Sequence, residues 1–228
     1  MHFLGTSKLE WAVLLTVIQR AVRRYANPNF TISFDCASPF LATANGQVYY
    51  ENVYPQNDKW SYRMAPSADD KKYATDTRQW SVGVLADGIY PTWQDSPVSL
   101  LLQMKDICIY GPNDVNKLKK IGKTSWDSFS YALLMSHNVW MHLQAVQEAN
   151  QRFDQGQWPA MLRRNQGNYE HFAHIVDRIF SEPSRQQALN IVDSYSDYWM
   201  EIVGTRGFKG KKAMNARTQF NAVFVFED

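Results

Sequence analysis

The stretch 30-FTISFDCASPFLATANG-46 contains the pattern from which the fold is predicted. Residues 30–34 are β-branched and aromatic, which predicts a strand. Asp35 ends this run, and a turn-rich segment closed by Asn45 and Gly46 follows. An aspartate after a strand most often hydrogen-bonds a turn. At the carboxyl end of a parallel strand, the same aspartate would lie where active sites form.

The preceding segment predicts a helix between two parallel strands. Apolar side chains recur at helical spacing from about Lys8 to Tyr25, and 27-NPN-29 breaks the pattern. The short apolar run 1-MHFLGT-6 supplies the first strand. Parallel strands are normally covered on both faces. We therefore expect residues 1–45 to be part of a larger sheet. Its other strands either belong to a missing N-terminal part or are supplied by another chain.

The rest of the chain divides by pattern into three further segments. Residues 46–125 predict a β-rich, loop-rich subdomain, with strands at 47–50, 79–85 and 106–111 and a polar loop at 58–80. Residues 126–160 predict one long helix, and 161–228 predict a helical extension with helices near 166–181 and 183–203, a basic loop and a terminal strand. The apolar stripe predicted for the long helix comprises Phe129, Ala132, Leu133, Val139, Trp140, Leu143 and Val146.

Composition limits the class of protein. The 228 residues are 45% hydrophobic and 14% aromatic, which is typical of a globular chain. With 24 basic and 22 acidic side chains, any nucleic-acid contact requires a local patch. Only two cysteines, Cys36 and Cys108, indicate a reducing compartment. The longest apolar run, 11–18, falls short of the ~20 residues that cross a bilayer, so we expect a soluble, cytoplasmic protein without a membrane partner.

The Asp35 segment resembles the strand-end motif of the tRNA-guanine transglycosylase family, Phe-Asp-Cys-x-x-Pro-Thr-Arg-x-x-Arg-Asn-Gly. The residues that match in register, without a gap, are Phe34, Asp35, Cys36, Pro39, Asn45 and Gly46. The opening 3-FLGTSKLEW-11 is similar to the family's preceding strand and turn, and 131–158 is similar to its last barrel helix. The resemblance covers roughly residues 1–160.

This resemblance implies an α/β fold, the C-terminal portion of a TIM-type (β/α)8 barrel, with residues 126–160 as the final barrel helix. It implies that Asp35 is a nucleophile that attacks C1′ of a nucleotide while guanine leaves and a 7-deazaguanine enters. Such covalent catalysis needs no metal or organic cofactor. His2 falls where a tyrosine supports the nucleophile, and Leu4 replaces a methionine that packs on the base. Gly5 keeps the family's glycine, and with Asn45 and Gly46 it completes the expected substrate-binding set.

The chain also departs from the family. The family has two arginines that grip RNA, and Leu41 and Ala44 occupy their positions in this chain. This difference favours DNA over tRNA as the substrate, and a phage-encoded, DNA-modifying branch of the family. The family's zinc site needs three cysteines besides the histidine that His137 matches, so no zinc is expected. The family's acid/base aspartate comes from earlier strands, so we expect a second polypeptide to complete the barrel, unless the chain is a truncated form or a remnant of the enzyme. The alternatives are a tRNA-modifying enzyme and a non-catalytic nucleic-acid-binding subunit.

Other polar clusters allow two interpretations. The run 206–217 has five basic residues and no acidic one, and it either grips a phosphate backbone or forms a solvated loop. Its proposed nucleic-acid-binding residues are Lys209, Lys211, Lys212 and Arg217. Among the histidines, His171 and His174 have metal-ligand spacing, but solvent-facing or core roles are favoured, and His137 and His142 are expected to pack a helix. Cys36 is expected to be a small buried residue rather than a thiol nucleophile. Tyr49, Tyr50, Trp60 and Trp80 are expected in a core.

Overall fold

A computed structural model of the protein describes residues 1–56, 58–111, 129–164 and 170–205. The chain divides into two compact units. Unit 1 comprises residues 1–19 and 31–163, and unit 2 comprises residues 20–30 and 164–228. The basic run 206–217 and the predicted terminal strand lie outside the described residues. Within the described ranges, every helix is too short or too polar to cross a membrane.

The chain begins with a parallel strand–helix–strand arrangement. Strand β1 (His2–Phe3) is followed by helix α1 (Leu9–Tyr25) and strand β2 (Ser33–Phe34). The strands pair in parallel, with His2 opposite Ser33 and Phe3 opposite Phe34. This pairing confirms the predicted strand–helix–strand unit. Strand β2 is shorter than predicted because the two-residue β1 gives ladder partners to Ser33 and Phe34 alone. The complete barrel stays a prediction.

Residues 38–44 form a short helix, α2 (Ser38–Ala44), where the sequence predicted a turn-rich segment. Pro39 lies in its first turn, where the missing N–H costs no helical hydrogen bond. The Asn45 N–H caps α2 by donating to carbonyls of the last turn. Gly46 follows with a φ of 65°, a conformation that glycine adopts readily, and the chain turns there. The prediction was wrong because serine, proline, asparagine and glycine mark the ends of a short helix as well as turns.

A β-hairpin follows α2. Strand β3 (Gln47–Val53) pairs antiparallel with β4 (Ser61–Pro66), and the register shifts between Tyr49 and Glu51. The predicted strand at 47–50 is confirmed and extends farther. Strand β4 was missed within the predicted polar loop, because its residues are exposed or only half-buried, without regular alternation, and it ends in proline.

Two predicted strands do not form. Helix α3 (Trp80–Ala86) replaces the strand predicted at 79–85. Helix α4 (Met104–Ile107) covers the first two residues of the strand predicted at 106–111, and 108–111 lie in neither a helix nor a strand. Trp80 and Val84 lie one helical turn apart and are both buried in the core of unit 1. A β-carbon on Gly83 would clash with the Met104 side chain, so this glycine permits the two helices to approach. Large and small residues alternate in 80–85, a pattern that is also typical of a strand, and the strand prediction was based on it.

Helix α5 (Phe129–Asp154) confirms the long predicted helix but buries a different face. Phe129 and Leu143 of the predicted apolar stripe are exposed. The buried residues of α5 include four polar ones, Ser130, His137, Asn138 and His142. The predicted buried face was wrong because α5 buries polar side chains that form hydrogen bonds with the rest of unit 1. Hydrophobicity alone does not identify such a face.

Unit 2 includes the last residues of α1, and its later part contains helices and two short strands, β5 (Arg163–Arg164) and β6 (Glu170–His171), the first of which begins one residue before this part of the unit does. Its helices are α6 (Phe172–Ser181), α7 (Arg185–Ser194) and α8 (Ser196–Gly204), so the helix predicted at 183–203 is divided at Tyr195. The Ser184 side chain caps α7. The described residues buried in unit 2 are Ala21, Phe172, Ile175, Val176, Tyr195, Tyr198 and Ile202.

Asn138 provides a stability prediction. Its buried amide accepts a hydrogen bond from the Tyr49 N–H at 2.9 Å and donates to Thr43 Oγ1 and the Gln47 carbonyl, both at 2.9 Å. Asn138→Ala would leave these buried groups without partners, and we expect the free energy of unfolding in urea to fall by about 3 kcal/mol. Ser136→Ala on the exposed face of the same helix is the control, with an expected change below about 0.5 kcal/mol. Equal effects of the two variants would contradict this role.

Candidate functional site

Asp35 directly follows β2 and is held by the turn between β1 and α1. Its N–H donates to the Phe3 carbonyl at 3.3 Å, and its carbonyl accepts from the Thr6 N–H at 2.7 Å. The Gly5 N–H donates to carboxylate Oδ1 at 3.3 Å. Gly5 has a φ of 68°, a conformation that a β-carbon would strain. A turn suited to glycine therefore directs a backbone donor at the carboxylate.

His2 lies on the other side of the carboxylate. Its Nε2 is 3.5 Å from Asp35 Oδ2, and its Nδ1 is 2.9 Å from the Ser33 hydroxyl. His2 and Ser33 are opposite each other in the parallel ladder, so the pairing itself fixes the imidazole beside Asp35. The side chains of His2 and Asp35 are 46% and 60% exposed. The carboxylate is therefore oriented and also accessible to a ligand.

The remaining predicted site residues divide into three sets. Leu4 is 74% exposed in the same turn as Gly5. Asn45 and Gly46 lie beyond the far end of α2, so roughly 10 Å of helix separates them from the Asp35 end. The third set lies outside the described residues and comprises Lys209, Lys211, Lys212 and Arg217. The structure thus brings His2 and Gly5 to Asp35 and leaves Asn45 and Gly46 at the other end of α2.

Cys36 has a partner that the sequence did not indicate. Its Sγ is 3.3 Å from Nε2 of His142 on α5. Cys36 is half-buried, whereas the sequence predicted a small buried residue. His142 is buried, and burial lowers the pKa of its imidazole. No local signal could reveal this pair, because 106 residues separate its members.

An aromatic stack extends from His142 into the β-hairpin. The Tyr62 ring stacks on His142 and on Tyr49, with centroids 5.2 and 4.9 Å apart. The Tyr62 hydroxyl donates to the Ser7 carbonyl at 3.3 Å and so ties β4 to the turn that holds Asp35. Burial raises the pKa of Tyr49 to about 12 and raises that of Tyr62 as well, so both hydroxyls stay neutral.

A cleft of about 350 Å³ lies between α2 and the hairpin. Its volume falls within the range of small-molecule sites. Lys8 is the one charged residue among the described residues that line it. The lining comprises Ser7, Lys8, Ser38, Leu41, Ala42, Asn45, Gln47, Tyr49, Trp60, Ser61, Tyr62 and Met64.

The histidines have structural contacts. His137 is fully buried, with Nε2 2.8 Å from the Tyr49 carbonyl and Nδ1 2.8 Å from the Ser96 hydroxyl, and burial lowers its pKa to about 4. The His171 side chain caps α6 by accepting from the His174 N–H. Across the described ranges, no three His, Cys, Asp or Glu side chains group in a way that could hold a metal ion. The helix-packing interpretation of His137 is confirmed, as is the core position of Tyr49, Trp60 and Trp80. Tyr50, the fourth aromatic residue expected in a core, is only partly buried and packs against it.

Comparisons with known proteins give no match. No protein-family model matches the chain, no curated protein matches it, and no solved structure matches its fold. The resemblance at 34–46 therefore stays a prediction.

His142 provides a prediction for the pH dependence of stability. Because its pKa is lowered in the folded chain, the unfolded chain binds the proton more readily below about pH 6.5, and stability should fall as pH falls through this region. We expect His142→Gln to reduce the slope of unfolding free energy against pH between about pH 7 and 5. The exposed His174→Gln is the control. An unchanged slope in His142→Gln would contradict this contribution.

Proposed function

We propose that the chain is part of a guanine transglycosylase that exchanges guanine in DNA for a 7-deazaguanine derivative, with Asp35 as the nucleophile. One observation carries the proposal. The Asp35 carboxylate stands at the carboxyl end of a parallel strand, oriented by the Gly5 N–H and His2 yet 60% exposed. A carboxylate that only formed a turn would not need an imidazole from the neighbouring strand. The motif at 34–46 supports the same assignment.

The reaction proceeds by two displacements at C1′ of the target nucleotide. In the first, an Asp35 oxygen forms a bond to C1′, and the bond from C1′ to guanine N9 breaks as guanine leaves with a proton. In the second, the ring nitrogen of the 7-deazaguanine attacks C1′, loses its proton and releases the carboxylate. No electrons are exchanged with an oxidant or reductant. The covalent intermediate divides one difficult substitution into two easier ones.

The neighbours of Asp35 act by orientation. The Gly5 N–H donates to Oδ1, and the imidazole of His2 faces Oδ2. Each oxygen of the carboxylate therefore has one neighbour that orients it. The contact between His2 and Ser33 fixes the ring, so its Nε2 stays beside the carboxylate. The target base has to leave the duplex stack to reach this position, at a cost of a few kcal/mol.

The polymer favoured as substrate is DNA. Leu41 and Ala44 occupy the positions of the family's RNA-gripping arginines, and both are exposed on α2. An apolar surface there gives no charge–phosphate contact of the kind that the family uses for tRNA. We place the reaction in the cytoplasm, where DNA is present and both cysteines stay reduced.

The proposal includes a partner surface over the parallel strands. His2, Leu4, Ser33 and Asp35 are all exposed, although parallel sheets are normally covered on both faces. We infer that strands of a second polypeptide cover this surface and complete the barrel. Those strands would supply the proton for the leaving guanine and most of the pocket for the base.

Asp35→Asn tests the nucleophile. The tagged protein, purified from its natural cells with any partner retained, is incubated with a labelled guanine-containing DNA strand and denatured in detergent. We expect wild-type protein to retain label as a covalent adduct, and we expect Asp35→Asn to lose it by about a thousandfold or more. The amide is nearly isosteric with the carboxylate but is a poor nucleophile.

Asp58→Asn is the matched control, because Asp58 is an exposed carboxylate of unit 1 outside the site. It should trap DNA as the wild type does. Wild-type trapping by Asp35→Asn would refute the assignment of the nucleophile. Nucleic-acid binding without trapping by the wild type would favour the non-catalytic alternative.

The choice of polymer has a separate test. The double variant Leu41→Arg with Ala44→Arg should bind tRNA more tightly and steepen the salt dependence of that binding by about one unit for each new arginine–phosphate pair. The measurement is tRNA affinity against salt, beside incorporation of labelled 7-deazaguanine into tRNA and DNA. More incorporation into tRNA than into DNA by the wild type would contradict the preference for DNA.

A further inference from the structure

We propose that Cys36 is a site of covalent modification, at which the thiol reacts with a hydroperoxide while His142 takes the thiol proton. The two side chains come from distant parts of unit 1, since Cys36 lies between β2 and α2 and His142 lies in α5. Sγ and Nε2 are 3.3 Å apart, a hydrogen-bonding distance for sulfur. The inference is independent of the proposed base exchange, because neither Asp35 nor a nucleotide takes part.

The imidazole of His142 is directed at the Cys36 thiol. Its side chain is only 7% exposed, and among the described residues Cys36 is its one hydrogen-bond partner. Its other nitrogen, Nδ1, is buried and has no partner within the described part of the chain. A buried polar atom without a partner costs stability and calls for an explanation. Packing of the fold alone does not explain His142, and a reaction at Cys36 does.

His137, one turn earlier on the same helix, shows what a structural histidine looks like. Its Nε2 bonds to the Tyr49 carbonyl and its Nδ1 to the Ser96 hydroxyl, so both ring nitrogens have partners. Its bonds link α5 to two other segments of unit 1. His142 makes no such link through Nδ1 among the described residues, and its one polar contact is with a thiol.

His142 is suited to the role of a general base. Burial lowers its pKa, so the ring is neutral near pH 7, and with hydrogen on Nδ1 its Nε2 can accept a proton from the thiol. The Tyr62 ring stacks on it, with centroids 5.2 Å apart, and holds its orientation. A nucleophile, a base within hydrogen-bonding reach and a third group that orients the base together activate a weak nucleophile.

The surroundings of the sulfur favour a small neutral reagent. Besides His142, the titratable groups that interact with the sulfur electrostatically are the hydroxyls of Tyr49 on β3 and Tyr62 on β4. Burial raises the pKa of both, so they are neutral near pH 7. The Asp35 carboxylate, adjacent in the chain, opposes an anionic reagent. Cys36 is half-buried, which admits a molecule of the size of hydrogen peroxide.

The reaction with hydrogen peroxide produces a sulfenic acid. The Cys36 sulfur attacks one peroxide oxygen, an S–O bond forms, and the O–O bond breaks. The thiol proton moves to His142 Nε2 and then to the departing hydroxide, which leaves as water. The sulfur loses two electrons, and the peroxide gains them.

Cys108 is not placed to condense with this sulfenic acid. It is fully buried, and its thiol donates to the Asp70 carbonyl. Burial also raises its pKa, which lowers the fraction of reactive thiolate. The oxidised Cys36 therefore has to be reduced by a thiol from another molecule. Cys108 serves as an internal reference in the experiment.

The test oxidises the full chain with hydrogen peroxide in the presence of dimedone, which traps sulfenic acids, and follows each cysteine by mass spectrometry. We expect Cys36 to be labelled at least about tenfold faster than Cys108. Its labelling should also be about fivefold faster in the folded chain than in urea, because unfolding separates the thiol from its base. Burial without activation would instead make the folded chain the slower one.

His142→Gln removes the base, and we expect it to slow labelling of Cys36 about tenfold. His174→Gln, at an exposed histidine of unit 2, is the matched control and should react as the wild type does. Equal rates in His142→Gln and the wild type, or slower labelling in the folded wild type than in urea, would overturn the proposal. Faster labelling of Cys108 in His142→Gln would reveal unfolding of that variant, and the comparison of folded with unfolded wild type would then decide.

Discussion

The parallel pairing of β1 with β2 is the constraint on which the candidate site depends. Parallel neighbours require a long crossover, which the 17 residues of α1 provide. The pairing brings the carboxyl ends of both strands to one edge, where Gly5 follows one strand and Asp35 follows the other. Each strand contributes only two ladder residues. The Asp35 N–H donates to the Phe3 carbonyl and the Thr6 N–H donates to the Asp35 carbonyl, and these bonds extend the pairing into the turn. The carboxylate is therefore positioned by the backbone more than by side-chain packing.

A second constraint operates where β3 meets α5. The backbone N–H of Tyr49 bonds to Asn138, and its carbonyl bonds to His137, so two helix side chains satisfy both polar groups of one strand residue. The hairpin register shifts immediately after Tyr49. Buried backbone groups require partners, and the helix supplies them where the ladder is irregular. The polar face of α5 thereby joins the hairpin to the rest of unit 1.

The sequence predicted the elements whose formation depends on local pattern. Helix α1, strand β3, the existence of α5 and the position of Asp35 after a strand all follow from periodicity and from the Asn-Pro-Asn break. The buried face of α5 did not, because His137 and Asn138 are buried for their hydrogen bonds and not for hydrophobicity. Helix α3 was predicted as a strand because nothing local indicates why a helix would contain Gly83. Its reason is the close approach of Met104, 21 positions away. The pairing of Cys36 with His142 likewise depends on tertiary structure.

The exposure of Asp35 bears on how reactive its carboxylate can be. A carboxylate in water is a weak nucleophile because water solvates its charge, and exclusion of water strengthens every electrostatic contact at a site. Within the described residues, the Gly5 N–H and His2 orient the carboxylate, but its side chain remains 60% exposed. Orientation and desolvation therefore have different sources. The β1–α1 turn, tied to the hairpin through Tyr62, fixes where the carboxylate points, and in the proposed enzyme the second polypeptide would have to exclude water from it.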